Sequence, residues 1–256
     1  MNMRVVRRDP TSGRAVGPGK TAAIAALALA VTIPERAEAS ALGEYFAGFA
    51  APDTRQSVRH FATCTTKRYP AEVQASLRGQ LPTSAIASRY PNLIKPACAP
   101  RAVFKYKNTR IIDGLFQSDL AEAMLRMDYF GQALPSVANS PPLPKNVVPE
   151  FDETKMSEQL RTSFAVIRES TVLDAVAECV SRAAPAAVGA LVASEPDSSD
   201  EARIFSALKP AMETCSVNTP VAEVPTFAWR ATLAMRLYLL VDAARPVSHS
   251  GATPNA

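Results

Sequence analysis

This 256-residue chain is poor in glycine, tryptophan and histidine: it has ten glycines, one tryptophan and two histidines. Three of the glycines (Gly13, Gly17, Gly19) fall before residue 39. A chain this poor in glycine and this rich in alanine reads as short helices rather than as a β protein. The two histidines, His60 and His249, are too far apart for a His-Glu-x-x-His zinc motif, and Cys-x-x-Cys and Gly-x-Ser-x-Gly are also missing. Those absences remove the short motifs that carry common metal, redox and acyl-transfer chemistry. Long apolar runs are lacking as well. The stretch Thr21 to Ile33 is about 13 residues, short of the roughly 20 that span a membrane as a stable anchor.

Charge of one sign is also missing once the N-terminus is set aside. Six of the 28 Lys+Arg and three of the 24 Asp+Glu lie in residues 1–39, so the remainder carries a net charge of +1. That balance argues against a nucleic-acid surface, which needs lysines and arginines gathered on one face.

The N-terminus itself reads as an export signal. Arg4, Arg7, Arg8, Arg14 and Lys20 form a basic region ahead of the apolar run, and Ala37-Glu38-Ala39 is a small-x-small site that predicts cleavage before Ser40. The same region holds Arg14-Ala-Val-Gly17-Pro-Gly19-Lys20-Thr21, close to a phosphate-binding loop. Arg14 stands where such a loop needs glycine, and no strand precedes it. The nucleotide reading is therefore set aside.

What the chain does contain is a pattern used twice. Cys64-Thr-Thr-Lys67-Arg-Tyr-Pro70-Ala-Glu-Val73 is matched by Cys179-Val-Ser-Arg182-Ala-Ala-Pro185-Ala-Ala-Val188. Leu81-Pro82-Thr83-Ser84 is matched by Glu195-Pro196-Asp197-Ser198, and each copy continues through Lys-Pro-Ala to a second cysteine, Cys98 or Cys215. On the first helix Val58, Phe61 and Cys64 match Leu173, Val176 and Cys179, three apart and so on one face. Pro70 and Pro185 open a second helix, since proline suits the first turn. Ser198 and Glu201 form a capping box for a third, and Pro96 and Pro210 are expected to kink or restart it. The fourth helix is predicted over 113–129 and over about 226–241. The stretch 102–107 reads as a short extended segment.

Four cysteines allow three pairings, and the repeat selects Cys64–Cys98 with Cys179–Cys215. The alternative is four reduced cysteines serving as small apolar residues. Ahead of the second copy, residues 156–167 read as a helix. The predicted organisation is a signal peptide (1–39), helical repeat 1 (40–130), a Pro-rich linker (131–155) expected to be exposed and partly disordered, helical repeat 2 (156–241) and a disordered tail (242–256). The fold class is all-α: two tandem repeats of about four short helices, one disulfide in each.

The order Ala-x-Cys, basic residue, Pro-Ala, Pro-x-Ser, Leu-x-Pro, Cys and a final Leu-Ala helix resembles a family of uncharacterised exported helical proteins of alphaproteobacteria. The resemblance covers most of 54–129 and 170–240, and its motifs are structural, so it implies a fold and no activity. Copy one departs from copy two in the step from proline to cysteine, which is two residues from Pro96 to Cys98 and five from Pro210 to Cys215.

Few residues suggest chemistry. His60, four before Cys64, shares its helical face but reads as a half-exposed side chain beside a bridging cysteine. Asp119, Glu122 and Arg126 have the spacing of paired carboxylates with a cation, and equally of a solvated, salt-bridged helix face, the reading preferred. Residues 197–201 offer oxygen ligands without a calcium-loop spacing. Trp229 and Arg230 are the candidate partner-binding residues, with a core role the stronger reading for Trp229. No catalytic residue, metal ligand or cofactor is assigned. The expected role is a periplasmic or secreted non-enzymatic protein that binds a partner such as another envelope protein, with no nucleic acid and no membrane anchor after cleavage. The alternatives are an enzyme with a site not recognisable from sequence, or a carrier of a small apolar ligand.

Overall fold

The computed structural model describes residues 52–94, 98, 109–129, 131–144, 155–217 and 224–245. The predicted leader, the phosphate-loop look-alike, the stretch 102–107 and residues 246–256 lie outside them. The regular elements among the described residues are all helices, with no strand among them. In chain order the α-helices are α1 (Pro52–Arg68), α2 (Pro70–Arg78), α3 (Thr83–Arg89), α4 (Thr109–Tyr129), α5 (Glu158–Ala183), α6 (Pro185–Ala193), α7 (Ser199–Cys215) and α8 (Thr226–Ala244). A 3-10 turn over Pro91–Ile94 follows α3.

The prolines set the breaks. The residue before a proline is pushed out of the helical region, and α1 and α5 both stop there. Tyr69 sits at φ −135°, ψ 52° and Ala184 at φ −137°, ψ 53°, so the two breaks share one backbone geometry. The chain then resumes at Pro70 and Pro185 in a short helix whose apolar residues (Val73, Leu77; Val188, Leu191, Val192) are buried. The bridges Cys64–Cys98 and Cys179–Cys215 both form, with Cα separations of 5.5 and 5.8 Å. The shorter proline-to-cysteine step in the first half therefore leaves room for an equivalent link. Each closes a loop of 34 or 36 residues, which on chain entropy stabilises the fold by roughly 3–4 kcal/mol.

The two halves pack through their fourth helices. α4 and α8 lie against each other, with α1 on α4 and α5 on α8. Phe116, Leu120 and Met124 join Leu233, Leu237 and Val241 in one core shared by both halves. Phe61 of α1 stacks on Phe116, ring centroids 5.2 Å apart. Among the described residues no single helix is long and apolar enough to cross a membrane.

Several boundaries differ from expectation. The helix expected over 156–167 is the start of the 26-residue α5. α7 runs unbroken through Pro210, which lies exposed on the helix surface, so losing one backbone donor does not end it. Residues 131–144 of the expected linker are not exposed throughout: Val137 and Leu143 are buried in the core. Arg182 holds this strap, donating to the carbonyls of Ser140 (2.7 Å) and Pro141 (2.8 Å) while paired with Glu178 (2.7 Å). Glu178 in turn accepts from the Leu143 N–H at 3.2 Å. Gly189 lets the strap come close, since a Cβ there would stand 2.6 Å from Leu134 Cδ1. Residues 242–244, assigned to the tail, are the last turn of α8. Asp242 there accepts two bonds from Arg78, at 2.6 and 2.7 Å.

Candidate binding pocket

Arg230 is the anchor of the site. It lies on α8 within one turn of the helix start and is 4% exposed. A buried guanidinium needs both charge and hydrogen-bond acceptors, or its desolvation is not offset. Arg230 has both. Its Nε and one terminal nitrogen make a two-point fork onto Glu122, at 3.0 and 2.9 Å. The other terminal nitrogen donates to Glu201 at 2.9 Å and to Ser194 Oγ at 3.2 Å. The carbonyls of Val192 and Ser194 accept at 3.1 and 2.8 Å. Burial alone would lower the Arg230 pKa, and Glu122 and Glu201 more than offset that, leaving it raised.

Glu122, on α4, collects three arginines. Besides Arg230 it accepts from Arg59 of α1 at 2.7 Å, and Arg126 lies 3.4 Å away on the next turn of α4. Arg126 donates to the Val192 and Ser194 carbonyls at 2.7 and 2.6 Å, so a cation sits on the C-terminal end of α6, where the helix dipole favours it. Glu201 is held by the start of α7. The Ser198 side chain accepts from the Glu201 N–H at 3.1 Å, and Glu201 Oε2 returns to the N–H of Asp197 at 2.6 Å. The expected capping box is present with its return arm one residue early, and Asp197 takes a left-handed φ of 59° to allow it. The calcium-like run 197–201 is this helix start.

These side chains wall a cavity of about 200 Å³ between α1, α4, α8 and the loop before α7. Arg55, Arg59, Asp119, Glu122, Glu201, Phe227 and Arg230 line it, with Glu195, Pro196 and Asp197 at its edge. Arg55 lies over the Phe227 ring, 5.0 Å from its centroid, and pairs with the exposed Asp197 at 3.1 Å. The Nε of Arg55 is buried and meets no acceptor among the described residues. Asp119 makes no hydrogen bond among them either. Burial first, and then the negative charge of Glu122, push its carboxyl well above the usual carboxylate range, against the pull of Arg59, Arg230 and Arg126.

The structure thus corrects the reading of Asp119, Glu122 and Arg126 as a solvated face. Asp119 and Glu122 stand in the wall of a cleft, Glu122 only 4% exposed, while Arg126 reaches to the C-terminal end of α6. Of the two candidate partner-binding residues, Arg230 is as buried as Glu122, and its neighbour Trp229 is half-buried against the core. His60 is exposed on α1, and Cys64 is committed to its bridge. The sequence reading missed Arg55, Arg59 and Phe227. The available signal was two arginines four apart on one face of α1. A wider groove of about 800 Å³ runs between α4, the strap and α6, lined largely by apolar residues such as Leu125, Leu134 and Val192. Among the described residues no group of three His, Cys, Asp or Glu is placed to hold a metal ion. No protein-family model, curated protein or solved structure matches this chain.

Proposed function

We propose that this is an exported, non-enzymatic binding protein, of a kind with the exported helical proteins it resembles, and that the pocket around Arg230 receives a small ligand. The observation that carries the reading is a preformed cavity. Most of its wall is satisfied internally, and two polar groups, Asp119 and the Arg55 Nε, are left without partners among the described residues. Concave sites with a few convergent polar groups are where small molecules bind. The two disulfides indicate an oxidising environment, and the N-terminal signal pattern makes that environment the periplasm or the exterior.

One observation favours an enzyme instead. A carboxylic acid whose pKa is raised by burial is what a general acid requires, and Asp119 has that property. Among the described residues the lining of the cavity supplies no histidine, cysteine, serine or lysine to act with it, which is why binding is the preferred reading. A thermal-shift screen of small anions, neutral molecules and cations, followed by analysis of each hit for chemical change, separates the two. A saturable rise in Tm with the compound recovered intact supports binding. Conversion of the compound supports the enzyme, and a screen without any hit counts against both. For compartment, the intact mass of the exported protein should start at Ser40 and accept no alkylation until reduced.

A further inference from the structure

The charges that line the pocket do not balance. Five acids (Asp119, Glu122, Glu195, Asp197 and Glu201) face three arginines (Arg55, Arg59 and Arg230). Arg126 touches Glu122 from outside the lining, which brings the arginines to four and leaves one carboxylate over. The pairing of side chains picks out which one. Glu122 is shared by Arg230, Arg59 and Arg126, and Glu201 holds Arg230. At the rim Asp197 holds Arg55 and Glu195 holds Arg59. Asp119 lines the same cavity with neither an ion pair nor a hydrogen bond among the described residues. A carboxylate set into a wall without a partner is costly unless a cation or a donor reaches it. No group of three His, Cys, Asp or Glu among the described residues is placed to hold a metal ion, and the acids beside Asp119 are already held by arginines, so the cation that fits is organic. The cavity, at about 200 Å³, lies below the roughly 300 Å³ where sites for drug-sized ligands begin, so that cation is small.

We infer that the pocket takes a small organic ammonium ion, its N–H groups donating to the Asp119 carboxylate and its short hydrocarbon part lying against Phe227 and Ala231. The inference rests on the binding reading above and gives it a ligand class. A charge-assisted bond of this kind is roughly twice as strong as one between neutral groups. A single positive charge also brings the five acids and four arginines to neutrality. The arginines do not close the site to a cation, because each already faces a carboxylate: Arg55 faces Asp197, Arg59 faces Glu122 and Glu195, Arg126 faces Glu122, and Arg230 faces Glu122 and Glu201. Burial favours a proton on Asp119, and an ammonium group replaces that proton without altering the net charge of the wall. An anion would instead add to a surplus of carboxylates, and a neutral ligand would leave Asp119 without a counter-charge.

The test is calorimetric titration of the purified full-length protein with butylamine, butanol and butyrate, three probes of one chain length and different charge. Butylamine is expected to bind saturably and the other two at least tenfold more weakly. Asp119→Asn keeps the shape of the side chain and removes its charge, and should weaken butylamine at least tenfold with circular dichroism unchanged. Ala231→Leu fills the cavity from α8 and should weaken any probe that binds there. Preference for butanol or butyrate, with binding lost in Ala231→Leu, would overturn the inference while leaving the pocket a binding site. Absence of saturable butylamine binding, or an Asp119→Asn variant binding butylamine as tightly as the parent, would overturn it outright.

Discussion

The two halves of the molecule hold the same loop in place with different chemistry. In the first half, Gln117 of α4 donates to the Leu81 carbonyl at 2.7 Å. The matching position of α8 is Arg230, which donates to the Ser194 carbonyl at 2.8 Å. A neutral amide closes the first contact at little electrostatic cost. A guanidinium in the second cannot be buried without carboxylates, and Glu122 and Glu201 are the consequence. The ion pairs that tie the first helix of each half to its fourth differ too: Arg59 with Glu122 in the first, Asp174 with Arg236 in the second. With the signs exchanged, the arginines of α1 face the acids and arginine of the second half, and the pocket forms where those charges converge. The charged loop anchor of the second half thus accounts for the pocket beside it.

That comparison is most strongly tested at Arg230. Arg230→Met leaves two buried carboxylates short of their principal partner and should cost about 3–5 kcal/mol in urea denaturation. Gln117→Met, at the matching position, should cost only about 1–2 kcal/mol, the loss of one partly buried hydrogen bond. Equal losses would contradict the distinction between the halves.

The bridges come next. Loops of 34 and 36 residues predict that replacing either cysteine pair with alanines costs a similar amount, roughly 3–4 kcal/mol on chain entropy. Access differs, however. Cys179 is exposed, whereas Cys98 is 7% exposed and Cys64 half-buried. Under mild reductant the Cys179–Cys215 bridge should open first, as read by peptide mapping of alkylated thiols. The reverse order would show that exposure does not control reduction here.

Asp119 gives a smaller, pH-dependent effect. With its folded pKa raised, the native state holds a proton that the unfolded chain releases, so stability falls as pH rises from the unfolded carboxylate value of about 3.9 through the folded one. Asp119→Asn should therefore raise Tm at neutral pH and leave it unchanged below about pH 3.5. The smallest effect is expected at Arg78, half of which is exposed in its pair with Asp242. Arg78→Ala should cost under about 1 kcal/mol.

Most of the fold was legible because local rules govern it. Pro70 and Pro185 break the chain wherever a residue before proline cannot remain helical, and cysteines repeated at similar spacing select their own partners. The site was less legible for two reasons. α4 is packed on several sides, by α1, α2, α6 and α8, so the three- and four-residue spacing of Asp119, Glu122 and Arg126 does not mark a solvent face. Arg59 and Glu195 meet across 136 residues of sequence, a distance over which no periodicity carries information. The strap over 131–144 was hidden similarly. Its prolines and polar residues read as a linker, and only Val137 and Leu143, held by Arg182 and Glu178 from α5, make it part of the core.

The account stands or falls on Asp119, the carboxyl left without a partner in a wall of satisfied charges. Its ionisation can be followed by 13C NMR of the side-chain carboxyl across the pH range, assigned by the signal lost in Asp119→Asn. A midpoint well above the ordinary carboxylate range is the predicted result. A midpoint near the ordinary value of about 3.9 would mean that solvent reaches the group and that burial in the cleft wall does not set its ionisation.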